Sequence, residues 1–145
     1  MYTHDRAIIL NDLANSYAVE MRYTKAIERY REALALYIKL AKSKPVDYSI
    51  HIAHVFSNLA IIHLNLEKIK EAEEFYQNSL RMHRALVKHN YNKYAIELAS
   101  CLVDGVHYLK QHTWTLYEAE WIVKKIRGDY QAEKLIKIIY KLRRR

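Results

Sequence analysis

Two glycines and one proline in 145 residues are too few for a sheet protein of this size, which needs a turn every few residues. An all-β or βαβ fold is therefore excluded. The single cysteine, Cys101, rules out an internal disulfide and a multi-cysteine zinc site. No apolar run approaches the ~20 residues that a transmembrane helix requires. Asp5 and Arg6 interrupt the place where a signal peptide would have its apolar stretch, so a cytoplasmic setting is expected. Two isolated glycines, Gly105 and Gly128, cannot form a phosphate-cradling loop. What remains is 51% apolar and 28% charged residues, the composition of one ordered domain with a real core.

Apolar residues recur at helical spacing throughout. A first helix is expected over 6–21, with Ile9, Leu10, Leu13, Ala14 and Tyr17 on one stripe. A second opens at Thr24 and is stopped by Pro45, since the residue before a proline is biased away from helix. Asp47 suits the N-cap of a third, and Asn90 and Asn92 mark a later turn. Thr115-Leu116-Tyr117-Glu118 has the spacing of a capping box. Gly128 suits a helix end and Asp129 the next helix start, giving about seven helices.

Charge is unevenly placed. Residues 1–123 carry a balance of +1, whereas residues 124–145 carry +7. Lys134, Lys137, Lys141, Arg143, Arg144 and Arg145 form a basic patch on the last helix. Such a pole attracts nucleic acid or another anionic partner, or simply complements the helix dipole.

The chain also repeats itself. Leu13-Ala14-x-x-Tyr17 followed by Ala26, Tyr30 and Ala33 returns as Leu59-Ala60-x-x-His63 followed by Ala72, Tyr76 and Ser79. Every matching pair lies 46 residues apart. Small residues at these places let two helices approach closely, and the aromatic fills the gap that remains.

In this pattern the chain resembles the tetratricopeptide repeat proteins. Their repeat is about 34 residues. The twelve additional residues here add about 18 Å of helix rise, as in the long-repeat type found in kinesin light chains. The early tryptophan of that family is replaced by Leu10 and Phe56. The resemblance implies an all-α, right-handed superhelix of antiparallel helix pairs. Repeat 1 would span about 6–44, repeat 2 about 47–89, a degenerate repeat 3 about 92–127, and a capping helix about 129–145. Gly105, Tyr108 and Ala119 carry the third repeat. Lys25-Ala26 with Tyr30-x-x-Ala33-Leu34 is also similar to the middle of a microtubule-interacting-and-trafficking domain, but that three-helix module is not expected to repeat.

The resemblance further implies an inner face made by the first helix of each pair. It would present Asn11 and Asn15, then His54, Asn58 and Ile61, then Ala99, Leu102, Val103, Val106 and Lys110. The expected partner-binding groove is thus Asn11, Asn15, His54, Asn58, Ile61 and Lys110, whose amides can pair with a peptide backbone through donor and acceptor. Asn15 and Asn58 fall where some members clamp a chaperone's C-terminal carboxylate. Asn11, Ala99 and Val103 occupy the positions that need cations, so chaperone-tail binding is rejected. The expected function is an adaptor or scaffold that binds a peptide or helix of another protein. The alternative is sequence-nonspecific nucleic-acid binding by the basic C-terminal helix. No catalytic residue, cofactor or metal is expected. Asp47, His51 and His54 share a helical face but lack a full ligand set, and Cys101 reads as a small core residue.

Overall fold

The computed structural model describes residues 2–126 and 128–145. Among them are seven α-helices and no strand: α1 Tyr2–Val19, α2 Tyr23–Ala41, α3 Pro45–Asn65, α4 Ile69–His89, α5 Tyr91–Leu109, α6 Thr115–Lys124 and α7 Tyr130–Arg143. The chain divides into two compact units, one ending at Ser79 and one beginning at Leu80, with the division inside α4.

In the first unit α1 packs on α2 and α2 on α3. The small residues of the repeat are fully enclosed: Ala14, Ala26, Ala33 and Ala72 expose nothing. Tyr30 is buried beside them, and its hydroxyl donates to Asn15 Oδ1 across the α1–α2 contact. Burial pushes the Tyr30 phenol up to about 12, so it stays a donor at any physiological pH.

Both departures of the second repeat from the first are satisfied polar groups. Ser79, where repeat 1 has Ala33, donates its hydroxyl to the Ala53 carbonyl at 2.8 Å and lies 2.6 Å from Ser57 Oγ. His63, where repeat 1 has Tyr17, bonds through Nδ1 to the Leu59 carbonyl at 2.7 Å and packs on Phe75. A buried hydroxyl or imidazole without such partners would cost about 1–3 kcal/mol.

The turns inside each pair are also repeated. Met21 (φ 61°), Glu67 (φ 59°) and Lys110 (φ 52°) are left-handed although none is glycine. After Met21, the Arg22 amide donates to the Tyr17 carbonyl at 2.9 Å. After Glu67, the Lys68 amide donates to the His63 carbonyl at 2.8 Å. These are the same long helix-closing bond, 46 residues apart. The third turn differs, because Gln111 reaches one residue further back, to Gly105.

In the second unit α5, α6 and α7 pack on one another around Leu98, Leu102, Leu116, Ile122, Val123, Ile139 and Leu142. Cys101 is buried. Asn90 caps α5 by accepting from the Lys93 amide, and Asp129 caps α7 by accepting from the Gln131 and Ala132 amides. Gly128 takes φ +80°, the left-handed turn expected after α6. The boundary drawn at Arg127 for the third repeat falls on a residue outside the described ones.

Three local expectations are corrected. Pro45 opens α3 at its first turn, where a missing N–H costs nothing, and Asp47 is an acidic residue of that turn instead of the cap. Thr115 does not cap α6. The N-cap position is held by Trp114, and the Thr115 hydroxyl donates back to the His112 carbonyl at 2.9 Å. On α1 the buried residues are Ala7, Leu10 and Ala14, while Ile9 and Leu13 are exposed, because the stripe facing α2 is narrower than the apolar run.

Candidate functional site

The expected groove residues sit in contrasting surroundings. On α1, Asn15 accepts from the Tyr30 hydroxyl and so helps to join α1 to α2. Asn11 is half-buried, and its Oδ1 is fully enclosed without a hydrogen-bond partner among the described residues. On α3, Asn58 and Ile61 are half-buried and His54 is exposed. One turn earlier, His51 stacks on Tyr37 with ring centroids 5.0 Å apart. Burial holds the His51 imidazole below its ordinary value, and the nearby His54 and His4 add to this. Among the described residues no set of three His, Cys, Asp or Glu side chains converges as metal ligands would.

In the second unit, Lys110 is exposed in the left-handed turn that ends α5. Ala99, Leu102 and Val103, expected on an inner face, are buried. They point toward α6 and α7 because the apolar side of α5 is wide enough to serve both neighbours. The open side of α5 is the neighbouring one, carrying Ile96, Glu97, Ser100, Asp104, His107 and Tyr108. Together with α7 it encloses a cleft of about 520 Å³.

That cleft has a floor of Ile96, Val103, Leu135, Ile138 and Leu142. Its walls differ in charge. α5 contributes Glu97 and Asp104, and α7 contributes Lys134 and Lys141, with Arg145 just beyond its end. Burial pushes the Asp104 carboxyl up to about 6, opposed in part by the His107 charge. Half of the expected basic patch thus lines a cleft and does not form a convex pole.

Arg143 is elsewhere. It donates to Glu120 Oε2 at 2.5 Å, and its guanidinium lies 4.3 Å from the centre of the Tyr117 ring. Lys124 reaches the other Glu120 oxygen at 2.7 Å. The hydrogen bond from Lys124, with the Arg143 charge and a Tyr140 hydrogen bond adding to it, holds the Glu120 carboxyl below its usual range despite burial. Arg143 is therefore a tie between α7 and α6. Lys137 and Arg144 are exposed. No sequence signal pointed to the cleft, because it arises where the lateral faces of two helices 40 residues apart come together.

Paired helices closed by repeated turns, with exposed side chains offered from an alanine-rich frame, define a helical-repeat interaction module. The tetratricopeptide repeat model matches residues 52–90, which cover the last two thirds of α3 and all of α4. Residues 52–90 thus carry a tetratricopeptide repeat, and the long repeat of the chain is consistent with the kinesin light chain type. Such repeats in general mediate protein–protein interaction and are not catalysts. No curated protein matches the chain. Among the described residues, no helix is long and apolar enough to cross a membrane.

Proposed function

We propose that the chain is an adaptor that receives an amphipathic segment of a partner protein in the α5–α7 cleft. The observation that carries this reading is the combination, in one cleft, of an apolar floor with opposed charged walls. A helix or strand laid there buries its apolar side on Ile138 and Leu142. It turns carboxylates toward Lys134 and Lys141 and cations toward Glu97. Such complementarity fixes orientation more than it adds affinity. Asn11, Asn15, His54, Asn58 and Ile61 form a second contact surface for a partner on the first unit. A cytoplasmic adaptor of this kind needs no cofactor.

A labelled peptide with leucines at helical spacing and glutamates along one flank tests the cleft by fluorescence anisotropy. Binding is expected to weaken about tenfold in Lys134→Glu/Lys141→Glu, the loss of two charge contacts at a partly desolvated site. A peptide with lysine in place of glutamate is expected to bind weakly to the parent. Equal binding of both peptides, or indifference to the double substitution, would show that the cleft is not the site.

A further inference from the structure

An exposed aromatic cluster of the second unit lies along α6. Trp114, Tyr117 and Trp121 are 64%, 58% and 56% exposed. They are spaced by 3 and 4 residues, so the rings follow one face over about 10 Å. These are the only two tryptophans of the chain. At about 200 Å² per ring, they leave roughly 350 Å² of aromatic surface open, within the size of patches that are often functional.

Cations accompany the rings. Lys125 Nζ lies 3.4 Å from the Trp121 ring centre, and the Arg143 guanidinium 4.3 Å from that of Tyr117. The nearby acids are already neutralised: Glu118 is bonded by Arg84 at 2.6 and 3.1 Å, and Glu120 by Lys124 and Arg143. The local balance is positive, since Arg84, Lys124, Lys125 and Arg143 stand against Glu118 and Glu120. The aliphatic residues of α6, Leu116, Ile122 and Val123, are all buried on the opposite side. The open face thus offers π-surfaces and positive charge without aliphatic surface. An interfacial helix sinks aliphatic side chains into the bilayer along with its Trp and Phe, whereas the aliphatic residues of α6 face the core.

We propose that the α6 face binds single-stranded nucleic acid, with bases stacked on Trp114, Tyr117 and Trp121 and the backbone phosphates beside Lys125. A ring beside a cation, as Trp121 is beside Lys125, matches a nucleotide, which carries one π-face and one anion: the base takes the place over the ring that the ammonium now holds, and the ammonium moves to the phosphate. Binding is sequence-tolerant, because no group on this face reads a base edge. This activity is separate from the α5–α7 cleft and stands or falls independently of it.

The test uses the full chain and a single-stranded dT20 oligonucleotide at 50 mM salt. Because both tryptophans are on the stripe, their intrinsic fluorescence should be quenched on binding. By anisotropy of the labelled oligonucleotide, Trp114→Ala and Trp121→Ala are each expected to weaken binding about tenfold. Trp121→Phe, which keeps a ring and protects against a mere folding defect, should stay near the parent. Lys125→Ala should flatten the log–log salt dependence by about 0.7, one phosphate contact on a single strand. A duplex of the same length should bind more weakly. Absence of dT20 binding would overturn the proposal. So would binding that the Trp→Ala variants leave unchanged, or a tryptophan blue shift with phosphatidylserine vesicles in the absence of any dT20 response.

Discussion

The two units solve the same packing problem with different materials. The first is built from Ala14, Ala26, Ala33, Tyr30 and Tyr37, with Ser79 and His63 enclosed among them. Its helices approach closely and are keyed by hydrogen bonds: Tyr30 to Asn15, Ser79 to Ala53, His63 to Leu59. The second packs Leu102, Leu116, Ile122, Val123, Ile139 and Leu142 around the enclosed Ala95, Ala99, Ala119 and Ala132, and its polar tie, Arg143 to Glu120, lies at the edge of that core. Hydrogen bonds tolerate one register only, whereas aliphatic side chains of similar volume can exchange places. The regular 46-residue repeat is carried by residues of the first unit. In a volume-packed core, Val123 serves where the pattern asks for an aromatic.

The largest effect should come from removing volume in the aliphatic unit. Leu102→Ala or Ile139→Ala leaves a void among fully enclosed neighbours and should cost about 2–5 kcal/mol in chemical denaturation. In the alanine-rich unit the opposite change is the damaging one. Ala26→Leu or Ala72→Leu overfills a contact with no spare space and should cost about 1–3 kcal/mol. Melts unchanged by both alanine substitutions would show that the close approach is not what holds the repeat.

Asp104 separates the units by pH. Its carboxyl is raised from 3.8 to about 6, so the ionised form is the one that the fold resists. Above pH 6 the unfolded chain holds the charge more easily, and Asp104 lowers stability. Below 3.8 the group is protonated in both states and the penalty is gone. Asp104→Asn should therefore raise stability at pH 7 by about 1–2 kcal/mol, less than the full shift implies because the side chain is only partly enclosed. The gain should vanish as pH falls to 4. A gain that persists there would assign it to something other than charge.

A smaller effect tests the keyed contact. Tyr30→Phe and Asn15→Ala should each cost about 1 kcal/mol, and their double-mutant cycle should show coupling of similar size. Additive losses would mean that the hydroxyl and the amide act separately. Smallest is the expected gain of about 0.5–1 kcal/mol from Met21→Gly or Glu67→Gly, which relieves a left-handed backbone.

The helix count, the repeat spacing and the enclosed alanines were legible in the sequence because each follows from local periodicity. Gly128 and Asp129 were legible for the same reason, as both act within a few residues of themselves. Pro45 was misread because proline both ends one helix and begins another, and only the three-dimensional path decides which matters. Thr115 was misread because its hydroxyl had a nearer carbonyl, that of His112. The sites were harder. Ala99, Leu102 and Val103 lie on a helix with two apolar sides, and which side faces a neighbour depends on α6 and α7. Asn15 was read only as a groove amide, because its partner within the fold, Tyr30, is 15 residues away. Arg143 looked like one more cation of a basic end. Its role as a tie depends on Glu120, 23 residues earlier and buried at the edge of the core.

Helix packing follows chain order: α1 on α2, α2 on α3, α5 on α6, α6 on α7, with α5 on α7 the longest step among these. Contacts this local are found without a long search, which places the chain among fast-folding topologies, with relaxation in the microsecond-to-millisecond range. They also suit synthesis on the ribosome. Each helix of a pair meets its mate as soon as the turn at Met21, Glu67 or Lys110 has emerged, long before the last residues are made. Nascent segments would then bury their apolar faces in sequence.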